Sequence, residues 1–414
     1  MRNKTIILLL SLLLIGCSTN EKISSSSSSY YSVSESQSST LSVSSSVSSS
    51  QTSSLISNTS SSSAINLKNI KEINDLALGL SEGEIGQEVS FEGYYAKEIT
   101  DNQDKLMLFV DETGYLYVRV KGGFQGNNEF LKNRYKKCLY KVNGRIQKYN
   151  GNLEIVYNSL VNITSTPEEF DYSSISENKD SLIEVYEEVS KVVLNKKDTG
   201  VGKIVSFKGT IVSTDRSDSN TKAVVYDGHK TITLIDDKKI CDNGDIGKTY
   251  KFTGSISILK SSPGIWLLDK TYIDNDLNNL DFSSAKEVKP SYFKQWYYVG
   301  DHIKKPTYED YSILYKVTGF VTDNADYTAK YNLGLVDEEN GSLSDNNLNG
   351  TYSIKGVFLM NNHNMDMKDL SYSVFYEPYI NASKISIYVT LHQFNTNDHG
   401  WKVFPLDFTL QIIE

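Results

Sequence analysis

A glycine set inside a strand, and met again at a fixed spacing, constrains this chain more than any other feature. The segment Ile85-Gly-Gln-Glu-Val-Ser-Phe-Glu-Gly93-Tyr-Tyr95 alternates apolar and polar residues and carries its second glycine within the alternation. It recurs as Val201-Gly-Lys-Ile-Val-Ser-Phe-Lys-Gly209-Thr-Ile211 and, more faintly, as Tyr311-Ser-Ile-Leu-Tyr-Lys-Val-Thr-Gly319-Phe-Val321. Period-two alternation marks a half-buried strand, and glycine within it marks a sharp bend or a close backbone approach. A second strand repeats behind the first: Tyr140-Lys-Val-Asn-Gly144, Tyr250-Lys-Phe-Thr-Gly254 and Tyr352-Ser-Ile-Lys-Gly356. Gly144 and Gly254 stand 110 residues apart, and so do Ile163 and Ile273. The connector Phe170-Asp-Tyr-Ser-Ser174 returns as Leu280-Asp-Phe-Ser-Ser284 at the same spacing. Connectors that keep the period belong to the repeat, so tandem copies of one small β-domain, packed in a fixed relation, are expected.

Within the first copy, Ile70, Ile73, Leu76, Ala77 and Leu80 form a helical stripe over Asn69 to Leu80. Strands are expected over Glu88–Lys97, Leu106–Val110, Tyr115–Val120, Cys138–Gln147 and Leu153–Val161, with Gly122 to Lys136 irregular or a short helix. Asp111-Glu-Thr-Gly114 and Tyr149-Asn150-Gly151-Asn152 supply the turn chemistry of two hairpins. The second copy has its own helical stripe in Leu182, Tyr186, Val189 and Val193.

Five strands, a tight second hairpin, a helix-length gap before strand four and a tight last hairpin resemble the OB-fold, a five-stranded Greek-key barrel. The expected fold is therefore all-β with short helices: three tandem OB-fold-like barrels after a disordered serine-rich linker. Their boundaries are 65–165, 166–275 and 276–414. The third is atypical, since Asn361 to Tyr379 interrupts the place where a fifth strand should follow Gly356.

The amino end bears on location. A basic start (Arg2, Lys4) precedes an apolar run from Ile6 to Ile15, shorter than the ~20 residues of a membrane-spanning helix. The run closes with Leu14-Ile15-Gly16-Cys17-Ser18, which resembles the lipobox of bacterial lipoprotein signal peptides. That resemblance implies a signal peptide over 1–16, a diacylglycerol on Cys17, and a lipid-anchored protein on the extracytoplasmic face of the cell membrane. From Ser24 to Ser63, 25 of 40 residues are serine, too little apolar surface to offset chain entropy. Residues 17–64 thus read as a lipidated, disordered stalk with an end-to-end distance of about 35 Å.

Chemistry is sparse. The five histidines (His229, His302, His363, His392, His399) are scattered among 414 residues. No HExxH, Cys-x-x-Cys, Gly-x-Ser-x-Gly or phosphate-cradling loop is present. The acidic stretch Asp337-Glu-Glu-Asn-Gly341 lacks the alternate ligand spacing of a calcium loop and reads as a hairpin turn. Cys138 and Cys241 fall in different copies and read as buried or idle thiols. The expectation is a protein without enzyme activity, metal or cofactor. A net charge of −9 excludes a wholly basic nucleic-acid glove but not a basic patch. The candidate patch lies in the first copy, where Tyr115, Tyr117 and Arg119 alternate outward on their strand and Met107 and Phe109 are counted with them on the partner strand. Lys132, Arg134, Lys136, Lys137, Lys141, Arg145 and Lys148 form a basic strip running to Tyr149. OB-folds that bind nucleic acid or sugar use this face, so the resemblance implies single-stranded nucleic acid or oligosaccharide as a ligand of the first domain. The leading expectation is a surface-anchored, non-catalytic lipoprotein for binding or protein interaction. Nucleic-acid or oligosaccharide capture through domain 1, as an accessory to uptake or degradation, is the alternative.

Overall fold

The computed structural model describes residues 67–413 apart from 102–103, 121–136, 197, 217–220, 237–240, 242, 276–278, 300–301, 323–333, 340, 342–343, 347–351, 355, 360–382 and 396–399. The signal segment, Cys17, the serine stalk, Lys132, Arg134, Lys136, the Asn361–Tyr379 interruption, His363 and His399 lie outside the described residues.

A short strand, β1 (Leu67–Lys68), runs parallel to β2 (Ile85–Asp101) and leads into helix α1 (Ile70–Ala77). Asn69 and Glu72 exchange side-chain-to-backbone bonds at 2.8 and 2.9 Å, a capping box that satisfies two orphan donors. Ile70, Ile73 and Ala77 enter the barrel core, whereas Leu76, expected on the same stripe, is exposed. β3 (Asp104–Asp111), β4 (Gly114–Val120), β5 (Leu139–Tyr149) and β6 (Asn152–Asn162) complete the sheet. Its order runs β2-β3-β4-β6-β5 and returns to β2, with β4 and β6 parallel. This is the five-stranded closed barrel of the OB-fold.

The second barrel repeats it with β7 (Glu177–Asn178), α2 (Leu182–Val189), β8 (Gly200–Arg216), β9 (Thr221–Tyr226), β10 (Thr231–Asp236), β11 (Lys248–Leu259) and β12 (Ser262–Asn275). Its order is β8-β9-β10-β12-β11 and back to β8, with β10 and β12 parallel. Val193, expected on the helical stripe, lies beyond α2 and is half exposed.

The third copy begins with β13 (Lys286–Val288), the separate hairpin β14 (Tyr297–Val299) and β15 (His302–Lys304), and helix α3 (Tyr308–Ser312). Its sheet contains β13, β16 (Leu314–Thr322), β17 (Gly334–Val336), β20 (Gly356–Leu359), β21 (Lys384–Asn395), β22 (Gly400–Pro405) and β23 (Gln411–Ile412), with β13 parallel to β16. A separate hairpin, β18 (Ser344–Asn346) and β19 (Tyr352–Ile354), stands between β17 and β20. The pairing β16-β17-β20-β22-β21, returning to β16, keeps the order of the other two barrels. Gly356 begins the third barrel strand and is not the counterpart of Gly144 and Gly254. The fourth strand is β21, and the interruption falls between strands three and four. A tyrosine four residues before a glycine is too short a pattern to fix register by itself.

Gly144 and Gly254 owe their spacing to one geometric need. Each sits at a register break where strand four folds over strand five. A Cβ on Gly144 would lie 2.3 Å from Ile155 Cγ2 and 2.5 Å from Val156 O; on Gly254, 2.4 Å from Ile265 Cγ2 and 2.6 Å from Trp266 O. The hairpin aspartates repeat as well. Asp111 accepts from Ile70 N–H at 2.8 Å, Asp227 from Leu182 N–H at 2.7 Å, and Asp337 from Ser291 N–H at 2.9 Å. Each carboxylate ties the connection between its barrel's second and third strands to the start of a preceding helical segment, which in the third copy is the 3-10 segment Pro290–Gln295, satisfying a donor that the helix itself leaves open. The acidic stretch at Asp337 is thus an anchor for that segment.

Candidate binding face and the joints between barrels

Residues directly opposite each other in an antiparallel pair share a face. Phe109 is opposite Leu116 and Met107 opposite Val118, and all four belong to the core of the first barrel. Met107 and Phe109 therefore cannot meet a ligand, which corrects their assignment to the outer face. β3 is apolar on both sides, so alternation alone could not phase it. The outward set is Leu106, Leu108 and Val110, facing Arg119, Tyr117 and Tyr115.

That outward face is covered by the second barrel. Ala96, Leu106, Leu108, Val110, Tyr117 and Tyr172 form one apolar cluster with Val201, Ile204, Ile235, Trp266 and Leu268. Tyr117 Oη is 2.6 Å from Ser255 Oγ and donates to Gly202 O at 3.3 Å. Burial pushes its phenol well above the ordinary tyrosine range, and that of Tyr115 up to about 12. Arg119 is also withdrawn from solvent. Its Nε and Nη2 donate to Glu154 at 2.5 and 3.0 Å, and its guanidinium lies 4.5 Å from the Tyr149 ring centroid. Tyr115, Tyr117 and Arg119 are outward on the barrel but spent on a joint, not presented as a stacking platform. Leu106, Arg119, Glu154, Asn150 and Asn152 line a small recess there with Asn195, Thr199 and Val201.

Of the candidate residues, Arg145 is exposed, Lys148 half-buried and Tyr149 36% exposed. Two members of the basic strip stand opposite carboxylates on the neighbouring strand. Lys141 is opposite Glu92 and Arg145 opposite Glu88 across the β2–β5 pair. Opposite charges facing across a strand pair suit the sheet itself, so Lys141 and Arg145 each share their stretch of β5 with a carboxylate on β2.

Sequence reasoning passed over Lys97, Glu154 and Trp266, all buried at or beside the joint. Lys97 Nζ donates to Leu267 O at 3.2 Å and lies 4.4 Å from the Trp266 ring centroid. The signal was present in Leu106 to Val110, an unbroken apolar run of the kind a strand buried on both faces requires.

The second joint uses the same device. The break in the β2–β3 register skips Ala96, and that in β8–β9 skips Val212, leaving Lys97 and Ser213 as counterparts. Ser213 Oγ donates to Pro405 O at 3.0 Å, as Lys97 does to Leu267 O. Val212, Val224 and Tyr226 of the second barrel pack on Leu314, Phe404 and Leu406 of the third. The connectors seal both joints, Phe170 and Tyr172 at the first, Leu280 and Phe282 at the second. Each joint is thus a face on one barrel received by a socket on the next. Ile204, Trp266 and Leu268 form one socket, Leu314, Phe404 and Leu406 the other. By register, the matching positions of the first barrel are Glu88, Val156 and Asn158, and Asn158 Nδ2 donates to Glu88 Oε1 at 2.7 Å.

No protein-family model matches the chain, and no curated protein matches it. Among solved structures, the hypothetical protein ygiW from E. coli is similar over 25% of this chain and 92% of its own, at 17% identity and a TM-score of 0.19. Entamoeba histolytica asparaginyl-tRNA synthetase is similar over 25% of this chain and 24% of its own, at 20% identity and a TM-score of 0.20. The HINa domain of Ifi202, solved in complex with 20bp dsDNA, is similar over 47% of this chain and 100% of its own, at 12% identity and a TM-score of 0.24.

Proposed function

We propose that this chain is a surface-anchored, non-catalytic lipoprotein in which three OB-fold-like barrels are held in fixed register as one interaction body. One observation carries the reading: the outer faces of the first two barrels are buried in the same way, each by the socket of its successor. A face committed to its neighbour orders the array and leaves no platform for a string of bases. The lipobox at Leu14 to Cys17 and the serine-rich segment behind it support display from a membrane.

Two measurements test the proposal. Changing Cys17 to serine should move the protein from the membrane fraction to the medium, with the acyl mass absent from its amino-terminal peptide; retention of the variant in the membrane fraction would refute the anchor. Residues 65–414 should give no salt-dependent anisotropy change with a labelled single-stranded oligonucleotide, since Arg145 and Lys141 face carboxylates. Binding that falls steeply with salt, and is lost on changing Arg145 and Lys148 together, would restore the nucleic-acid reading.

A further inference from the structure

One short helix of the third copy serves two barrels at once. In the first two copies the chain passes from α1 to β2 and from α2 to β8 with no helix or strand between. In the third it passes from Pro290–Gln295 to β16 through the β14–β15 hairpin and α3. α3 carries Tyr308 and Tyr311, three residues apart and so neighbours on its surface. Tyr311 belongs to the core of the third barrel, whereas Tyr308 packs against the core of the second. Thr307 and Asp310 cap the helix reciprocally at 3.2 and 2.7 Å. A helix of five residues does not hold its form alone in water, so α3 depends on both barrels.

Polar contacts at both ends bind this segment to the second barrel. Lys305 donates to Asp198 and, at 3.3 Å, to Ser261 Oγ in the turn between β11 and β12. Glu309 accepts from Lys230, and Ser312 O accepts from Thr231 Oγ1 at 3.2 Å. Between these ends α3 touches α2. In the first copy Asn74 Nδ2 donates to Tyr115 O at 3.4 Å. At the same place in α2, Tyr186 Oη donates to Thr231 O at 3.0 Å, and Tyr186 is 9% exposed. Among the described residues, the core cluster of the first barrel lies wholly between Ile70 and Leu160. The apolar cluster of the first joint shares no residue with the core of either barrel that it joins.

We propose that α3 locks the second and third barrels into one cooperative unit, leaving the first joint as the place where the array parts. Drawing the third barrel off the second would pull Tyr308 from the second barrel's core and break the contact between α2 and α3, so that joint opens only as the barrel itself opens. Parting the first joint uncovers a cluster between barrels and leaves both cores filled. Proteins open in cooperative blocks, and this chain should have two, residues 65–165 and residues 166–414. The repeat boundary at 275 is then no boundary in stability.

Native-state hydrogen exchange on the full chain tests this. Peptides over α2, β8 and β11 should share one opening free energy with those over β16 and β21, distinct from that of α1, β2 and β5. Tyr308→Ala should raise opening over α2 and β11 by roughly ten- to fiftyfold, although the residue lies in the third copy, and should leave α1 and β5 unchanged. Separate openings for the second and third barrels in the wild type, a rise confined to residues 297–322, or an equal rise in all three barrels would overturn the proposal. If Tyr308→Ala does not fold, Tyr308→Leu, which keeps part of the apolar contact, is read in the same peptides; unchanged exchange over α2 overturns the proposal equally.

Discussion

Removing the charge of Glu154 tests the idea that the outward face of the first barrel is a joint. Arg119 and Glu154 side chains are 4% and 1% exposed, and two hydrogen bonds link them. Were this a surface pair on an open binding face, Glu154→Gln would cost about 0–1 kcal/mol. In a buried site the guanidinium keeps its desolvation penalty and loses the carboxylate that offsets it, which costs about 3–5 kcal/mol. Replacing both partners by apolar residues of similar size removes penalty and attraction together. Arg119→Met combined with Glu154→Leu should therefore fall within about 1 kcal/mol of the wild type. Guanidinium denaturation of these variants and of Arg119→Met and Glu154→Leu alone, followed by tryptophan fluorescence and far-ultraviolet circular dichroism, supplies the free energies of a double-mutant cycle. The coupling between the two positions should reach at least about 3 kcal/mol. A Glu154→Gln change costing less than about 1 kcal/mol, or strictly additive effects, would show that solvent reaches the pair and that the joint is open.

Three further outcomes follow from the packing. Gly144→Ala and Gly254→Ala should each lower stability by about 1–3 kcal/mol in chemical denaturation, because the new methyl meets main-chain oxygens at 2.5 and 2.6 Å that cannot move without parting the strands; a neutral alanine would contradict the close approach. Trp266→Ala should cost about 3–5 kcal/mol and separate the melting of the first barrel from that of the rest, whereas one unshifted transition in calorimetry would contradict the coupling. Hydrogen bonding to Lys191 holds Glu188 at a pKa of about 2, with further support from Lys179 and Lys203. Its contribution should be complete above the unfolded value of about 4.3 and fade as pH falls toward the folded one. Glu188→Gln should abolish that part of the acid profile, and an identical profile in the variant would refute the assignment.

The repeat and the barrel were legible in the sequence because each copy must solve the same steric problem. Gly144 and Gly254 recur where strand four crosses strand five, and Asp171 and Asp281 recur because each caps a turn, accepting from Ser173 and Ser283 N–H at 2.8 Å. The two turns in the first copy carried their own chemistry, with Asn150 and Gly151 both at positive φ. The candidate site was legible only in part. Alternation placed Tyr115, Tyr117 and Arg119 on the outside of a barrel, but outside one barrel was inside the joint, and nothing local to β4 distinguishes the two. Trp266, more than 140 residues farther along the chain, covers that face. The lead-in strands β1 and β7 are two residues each, too short to carry a period. Gly356 misled because an insertion carrying the β18–β19 hairpin separates the second and third strands of the last barrel and shifts every later position.

The polar pair at Glu88 and Asn158 has a consequence for copy number. A face that fits a non-identical socket makes a contact that never closes on itself, and contacts of that kind build filaments when every unit offers both halves. The leading barrel offers a carboxylate and an amide where its followers offer isoleucine and leucine. An incoming barrel would have to strip water from that carboxylate, which is costly for an ionised group. At two of three socket positions the first barrel therefore lacks the apolar surface with which the second and third each receive a neighbour.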